Sequence, residues 1–257
     1  MRIVKSTLII DIIKSKQLIS SIENVGSGSS ESTGVKGVNK SHKVTLADGT
    51  NWLMKPQSGD HTSRWRHIPP KSQYRRERAA YLTNRQLGFN LVPLTKIVKH
   101  DSDISSMQSW IEDVEDSDVT LNKYSSNHIW MAGLFDIIIG NSDRHRWNWL
   151  TLGNKPILID NGYSMPNEAD YDDPRSVILS RFSCRIWDKR IPQIFLEKIK
   201  LLKNTKFQIH IKSLLDPPAF QLFNERVDQL ITTGIAKVDK YLPKEKIRGI
   251  PPKKGEV

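Results

Sequence analysis

A polar stretch within residues 140–165 constrains this chain more than any other part of its 257-residue sequence. It contains Asp143 and, five positions later, Asn148. A short apolar run then leads to a second acid, Asp160, which is followed by asparagine and glycine. Carboxylate and amide oxygens are the ligands that hard cations such as Mg²⁺ prefer in proteins. The order acid, amide, acid therefore predicts a place where a divalent cation is held against phosphate groups.

The spacing of these residues is typical of enzymes that transfer a phosphoryl group from ATP. Phosphoryl transfer from ATP needs one carboxylate to orient the attacking hydroxyl, and an amide plus a second carboxylate to hold Mg²⁺. The interval from Asp143 to Asn148 equals the aspartate-to-asparagine interval of the protein-kinase catalytic loop. We therefore assign Asp143 to the hydroxyl, and Asn148 and Asp160 to Mg²⁺, with Mn²⁺ as an alternative ion. His145 has three open roles: it accepts a proton, contacts the γ-phosphate, or shapes the loop through the backbone.

Three further features precede this stretch in the order typical of kinases. Lys55 lies on a predicted strand, where it would neutralise nucleotide phosphates, and Glu77 lies on the next predicted helix, where it would pair with Lys55. A Gly/Ser segment at residues 26–34 would wrap the phosphates with backbone amides and hydroxyls. Its expected contacts are Gly28, Ser29, Ser30 and Ser32. Alone, each feature has an ordinary explanation as an exposed charge or a flexible linker, so the prediction depends on their combination.

The hydrophobic pattern predicts the fold class. Helices are predicted over residues 72–87 and 127–139, strands over 42–46, 51–55, 91–98, 106–111, 149–152 and 157–159, and a mostly helical region over 174–235. This order predicts an α+β, bilobal, protein-kinase-like fold with a small sheet-bearing N-lobe and a mostly helical C-lobe. We place the N-lobe at residues 1–112, the C-lobe at 113–241 and a poorly ordered basic tail at 242–257.

Composition narrows the partners and the compartment. The net charge of +11 suits a nucleic acid, an anionic membrane surface or an acidic protein. Aromatic residues are not interleaved with the basic clusters, so we expect no nucleic acid. The single cysteine, Cys184, excludes an internal disulfide and makes a reducing, cytoplasmic compartment the default, with export as an effector left open. No apolar run has the length of a membrane span, although peripheral membrane contact stays open.

Two motifs carry a family resemblance. SDRHRWN at residues 142–148 and ILIDNGYSMP at 157–166 resemble the phosphatidylinositol 3-/4-kinase family, whose catalytic loop carries Asp-Arg-His-x-x-Asn. The second motif looks most like the type II phosphatidylinositol 4-kinases and small bacterial proteins classed with them, and HipA-like kinases are similar more loosely. Supporting stretches are GSSEST at 28–33, WLMKP at 52–56, ERAAYLTNRQLGFNLVP at 77–93 and MQSWIEDV at 107–114. Together they cover about residues 22–180.

The resemblance implies a bilobal fold with ATP between the lobes and Mg²⁺ as cofactor. It carries the family's functional positions onto Lys55, Glu77, Asp143, Asn148 and Asp160. It also implies that residues 108–112, with Gln108, Trp110 and Glu112, contact adenine, partly through backbone groups. One departure is visible in the sequence, because Asn161 stands where most protein kinases have phenylalanine. We also expect none of the long accessory regions of the large lipid kinases.

The sequence leaves the phosphate acceptor open between two substrates. The first is a protein Ser/Thr hydroxyl, with autophosphorylation expected within residues 27–32, where phosphate would weaken nucleotide binding. The alternative is a phosphoinositide, recruited by the basic cluster at residues 64–66 and the basic tail. A third hypothesis, a pseudokinase or basic nucleic-acid-binding protein, conflicts with the retained lysine, glutamate and metal-loop residues. We favour a protein substrate over a lipid, and the sequence does not predict the oligomeric state.

Overall fold

The computed structural model describes residues 19–26, 40–60, 67–168 and 180–238. Its strands are β1 (Ile19–Gly26), β2 (Ser41–Leu46), β3 (Asn51–Pro56), β4 (Thr95–His100), β5 (Asp103–Ser109), β6 (Trp149–Leu152) and β7 (Lys155–Leu158). Its α-helices are α1 (Gln73–Gln86), α2 (Ser126–Ile139), α3 (Arg181–Ile186), α4 (Gln193–Lys200), α5 (Thr205–Leu214) and α6 (Pro217–Thr233). A sheet with one helix thus precedes a helical region, which is the predicted α+β order. In the described ranges, no helix is both long and apolar enough to cross a membrane.

The N-terminal sheet presents one face to helix α1. Its strand order is β1-β2-β3-β5-β4, and each neighbouring pair is antiparallel. The hairpin between β2 and β3 turns at Gly49, whose φ of +83° is readily adopted by glycine. In the β3–β5 ladder, Lys55 pairs with Ser106 and Leu53 with Gln108. Because side chains alternate along a strand, these four residues lie on one face of the sheet.

Helix α1 is fixed to the helical region at both ends. Near its start, Arg75 Nη2 lies 3.4 Å from Asp216 Oδ1, and the buried Arg76 lies 3.5 Å from the other oxygen of Asp216. Burial lowers the pKa of Arg76 to about 10, although the Asp216 carboxylate opposes that shift. At the other end, Gln86 Nε2 donates to Leu201 O at 2.9 Å. The helix that carries Glu77 is therefore held by contacts outside the sheet.

The main hydrophobic core lies among the helices of the C-terminal region. Helix α2 begins after Ser125, whose hydroxyl accepts from His128 N, and ends at Gly140 with a φ of +60°. From Ala132 to Ile139 each α2 residue is buried. Gly133 allows α3 to approach closely, because a Cβ there would lie 2.7 Å from Ile186 Cδ1 and 2.8 Å from the Phe182 carbonyl oxygen. This contact places α3 against the helix that leads into the catalytic-loop motif.

Two predicted strands differ from the observed ones in position. The strand predicted over residues 91–98 begins at Thr95, and the one predicted over 106–111 spans Asp103–Ser109. The reason lies in Asn84, whose Oδ1 accepts from the backbone N–H groups of Leu91 and Val92 at 2.7 and 3.2 Å. The N–H groups of residues 91–92 are therefore bound to helix α1, while the Leu91 carbonyl oxygen accepts from Leu158 N of β7 at 2.8 Å, so this segment does not extend β4 in the N-terminal sheet.

Substitution of Gly133 tests the close contact between α2 and α3. We expect Gly133→Ala to lower the free energy of unfolding by about 1–3 kcal/mol, because the added methyl group meets backbone that must move. Urea unfolding followed by circular dichroism measures this change. Asn127→Ala, at an exposed position of the same helix, is the control and should stay within about 0.5 kcal/mol of the wild type. Equal stability of the two variants would contradict the packing described.

Candidate active site

An ion-pair network joins three separate segments of the chain. Lys55 Nζ, on β3, lies 2.8 Å from Glu77 Oε1 on α1 and 2.9 Å from Asp160 Oδ1 just after β7. Lys55 and Asp160 are 105 positions apart in the sequence. The side chains of Lys55 and Glu77 are 16% and 3% exposed, whereas that of Asp160 is 41% exposed. The network therefore has a buried side on α1 and an open side at Asp160.

Glu77 also binds the backbone of the loop that carries Asp160. Its second oxygen, Oε2, accepts from Asn161 N at 3.1 Å. Asp160 itself has a φ of +52°, a left-handed conformation that is uncommon for a residue with a side chain. Gly162, two residues later, packs against Gln73. A Cβ at position 162 would lie only 2.7 Å from Gln73 Oε1, so a larger residue would not fit without a shift. Contacts on both sides thus hold this loop in a conformation that an isolated chain would rarely adopt.

The charges of the network stabilise one another. Desolvation favours the neutral form of Lys55, but the carboxylates of Asp160 and Glu77 outweigh it, and the pKa of Lys55 is raised above its ordinary value. Desolvation similarly favours a neutral Asp160, yet the Lys55 ammonium outweighs it and lowers the pKa of that carboxyl. At neutral pH the lysine is therefore a cation and Asp160 is an anion.

The catalytic-loop motif folds around its own asparagine. Asn148 Nδ2 donates to the carbonyl oxygen of Asp143 at 2.6 Å and lies 3.4 Å from Asp143 Oδ2. Asp143 N donates in turn to Asn141 Oδ1 at 2.8 Å. These contacts fix the orientation of the Asn148 amide, because its nitrogen faces Asp143. The two residues of the predicted Asp-to-Asn pair are therefore in direct contact.

The residues present fit a hard divalent cation. In the described part of the chain, no hydrogen bond engages Asn148 Oδ1 or Asp160 Oδ2, so each offers an oxygen ligand. Within the same residues, no group of three His, Cys, Asp or Glu side chains could hold a metal ion. Mg²⁺ usually takes one or two carboxylates and completes its shell with phosphate oxygens and water. The donor set thus suits an ion that arrives with a nucleotide.

The backbone determines which nitrogen of His145 carries the proton. Trp147 N donates to His145 Nδ1 at 3.2 Å, so Nδ1 is an acceptor. The neutral ring then carries its proton on Nε2. Nε2 lies 3.9 Å from Asp143 Oδ2, and the His145 side chain is 50% exposed. The half-exposed face of the ring therefore presents a donor beside Asp143.

The remaining predicted site residues either lie outside the described ranges or contact the N-terminal sheet. Gly28, Ser29, Ser30 and Ser32 lie outside the described residues, as do the basic cluster at 64–66 and the basic tail. Gln108 Nε2 donates to Thr95 Oγ1 at 2.9 Å, and Glu112 accepts from Asn51 Nδ2 at 3.2 Å. The Trp110 ring lies under Lys43 Nζ at 4.8 Å. These three side chains thus contact the N-terminal sheet, and adenine binding by this segment stays a prediction.

The two arginines that flank His145 lie in different environments. From the sequence alone, Arg144 and Arg146 would each brace the loop or face solvent. Arg144 is fully buried against Asp136, whereas Arg146 is exposed and lies 4.2 Å above the Trp147 ring. An acid at position 136, within the apolar run of α2, was the available signal for a buried partner. Of the two tryptophans in this stretch, Trp149 is fully buried and Trp147 is exposed.

Comparison with solved structures identifies the fold. No family model matches the chain, and no curated protein matches it by sequence. The crystal structure of the Golgi casein kinase with Mn/ADP bound aligns with a TM-score of 0.53 at 13% identity, over 85% of this chain and 72% of that chain. A second Golgi casein kinase structure gives 0.52 at 13% identity, over 85% and 71%. The chain therefore has a kinase-like fold, which confirms the predicted fold class.

A weaker likeness adds no support to this conclusion. The Helicobacter pylori proinflammatory kinase CtkA aligns with a TM-score of 0.41 at 14% identity, over 83% of this chain and 93% of that chain.

Replacing Lys55 tests whether the network is energetically coupled. Lys55→Met leaves the buried Glu77 without its cation, so we expect the free energy of unfolding to fall by about 3 kcal/mol. Urea unfolding at pH 7 measures the change. The control is Lys123→Met, which removes the exposed pair with Glu115 and should leave stability nearly unchanged. Similar losses in both variants would show that Glu77 does not depend on Lys55.

Proposed function

We propose that this protein is an ATP- and Mg²⁺-dependent kinase that transfers the γ-phosphate to a hydroxyl group of a protein. The observation that carries the proposal is the ion-pair network in which Lys55 joins Glu77 and Asp160. A kinase-like fold by itself implies no activity. The Lys55–Glu77 pair beside Asp160 corresponds, however, to the lysine–glutamate pair and the metal-binding aspartate that must be in place in an active protein kinase.

Each residue has a role in the proposed reaction. Lys55 neutralises phosphate oxygens, and Glu77 fixes its position. Asp143 orients the acceptor hydroxyl and takes its proton as the oxygen attacks the γ-phosphorus, while the bond from phosphorus to the β-phosphate oxygen breaks and ADP leaves. Asn148 and Asp160 would hold Mg²⁺ or Mn²⁺, which supplies charge neutralisation at the phosphates when bound. A Golgi casein kinase structure holds Mn/ADP, which supports a nucleotide and a divalent ion here.

We further propose a protein as acceptor and a relationship to the phosphatidylinositol 3-/4-kinase-like group. Two fold neighbours with TM-scores above 0.5 are structures of the Golgi casein kinase, which supports a protein acceptor. The two motifs around Asp143 and Asp160 support the family relationship. The features that favoured a phosphoinositide, residues 64–66 and the basic tail, lie outside the described residues. Compartment and autophosphorylation stay predictions from the sequence.

Labelled ATP tests this function directly. We expect the protein, incubated with γ-labelled ATP and Mg²⁺ in a cell lysate, to label the protein fraction and not the lipid fraction. Asp143→Asn and Asp160→Asn should lower labelling by at least about 100-fold, because each removes a group acting in the transition state. Lys123→Met should label as the wild type does. Labelled lipid without labelled protein would instead favour the phosphoinositide kinase, and no labelling with any lysate would contradict a kinase.

The hydrogen bond from Trp147 predicts the role of His145. Because neutral His145 carries its proton on Nε2, it should donate a hydrogen bond to a phosphoryl oxygen and leave proton removal to Asp143. Glutamine can place an N–H near the Nε2 position, whereas alanine cannot. We therefore expect His145→Gln to lower the rate of ATP turnover about tenfold and His145→Ala about 100-fold. Equal loss in both, with the acidic limb of the pH–rate profile abolished, would instead identify His145 as the base.

A further inference from the structure

Arg144 lies inside the catalytic loop, next to Asp143, yet it is fully buried together with Asp136 of helix α2. Its Nε lies 3.2 and 3.3 Å from the two carboxylate oxygens of Asp136, and its Nη2 lies 3.1 Å from one of them. This forked contact fixes both the position and the plane of the guanidinium group. The core helix α2 thus determines where the remaining N–H groups of Arg144 point.

Those remaining N–H groups reach both candidate metal-binding segments. Arg144 Nη1 donates to the carbonyl oxygen of Asn148 at 2.5 Å and to that of Ile159 at 2.6 Å. Nη2 donates to Asn161 Oδ1 at 2.5 Å. Asn148 is one candidate ligand, and Ile159 and Asn161 stand on either side of the other, Asp160. A single guanidinium group therefore contacts the backbone at one ligand and both neighbours of the second.

A contribution to the stability of the folded state does not by itself explain why an arginine is buried at position 144. Taking a guanidinium and a carboxylate out of water is costly, and apolar replacement of a buried ion pair is often neutral or stabilising. A lysine at position 144 would keep the positive charge but lose most of the contacts. A single ammonium group cannot replace the planar guanidinium, which binds Asp136 and three further acceptors at once. What the arginine adds is a fixed distance between two loops.

We propose that Arg144 is a positioning residue that sets the separation of Asn148 and Asp160, and thereby the affinity of the site for a nucleotide-bound divalent cation. The proposal depends on the proposed function, which assigns these two residues as ligands. Asp160 is then held by two contacts. Lys55 binds the Asp160 side chain, and Arg144 binds the residues on either side of Asp160. Groups that orient metal ligands in this way commonly change metal affinity or activity 10- to 100-fold when they are lost.

Mn²⁺ binding in the presence of ADP tests the proposal without relying on activity. Electron paramagnetic resonance of free Mn²⁺ gives the dissociation constant. We expect Arg144→Lys to raise it at least about tenfold, and saturating Mn²⁺ to restore most of the lost activity. Lys123→Met is the control, because Lys123 forms an exposed ion pair with Glu115 and contacts none of the candidate site residues. It should leave the Mn²⁺ dissociation constant within twofold of the wild-type value.

A second variant keeps the test decisive if Arg144→Lys fails to fold. Asp136→Leu combined with Arg144→Met removes both buried charges together, which a core tolerates better than one unpaired charge. We expect it to fold by circular dichroism and to show the same weakened Mn²⁺ binding. A folded variant with wild-type Mn²⁺ affinity overturns the positioning role of Arg144 and leaves the proposed kinase function standing. A wild-type protein that binds neither Mn²⁺ nor ADP overturns the proposed function and this inference together.

Discussion

The position of Lys55 between two carboxylates determines how the candidate site is assembled. Its ammonium group is close to Glu77 on α1 and to Asp160 after β7, so one cation joins the sheet, the helix and the loop that carries Asp160. Buried charges are tolerated when they are paired and hydrogen-bonded. The three segments therefore have an electrostatic reason to converge, in addition to the hydrophobic core that lies mainly among the C-terminal helices.

Helix α1 connects this network to the rest of the fold. Arg75 and Arg76 bind Asp216 at the start of α6, and Gln86 binds the backbone beyond α4. Glu77 lies between these anchors and binds Asn161 N as well as Lys55. A displacement of α1 that separated Glu77 from Lys55 would also have to break contacts to the helical region. The lysine–glutamate pair is accordingly part of the packed structure, and its formation needs no ligand.

The sequence predicted elements and spacings better than it predicted contacts. Asp143 and Asn148 could be paired from their spacing because both lie in one short loop, and helix α1 was predicted to within one residue at each end. Strand β4 was misplaced because Asn84, a residue of another element, binds the backbone at Leu91 and Val92. No local pattern contains that information, since it depends on which side chain reaches a loop after folding.

Arg144 and Arg146 illustrate the same limit within a single loop. The two residues have the same chemistry and are two positions apart, yet one is buried and the other is exposed. The difference comes from Asp136, which is buried on α2 and needs a cation. An isolated acid in an apolar helix predicts a buried cationic partner, but the sequence does not specify which of the two arginines pairs with it.

The ion pairs of the network would favour a metal-bound nucleotide at the proposed site. Lys55 stands between the carboxylates of Glu77 and Asp160, so these three side chains together carry one formal negative charge. That charge would repel the phosphates of a free nucleotide, even in a protein whose net charge is +11. A divalent cation bound to the phosphates would remove that repulsion and would be attracted to Asp160. Under the proposed function, these carboxylates would therefore favour the metal complex over the bare nucleotide.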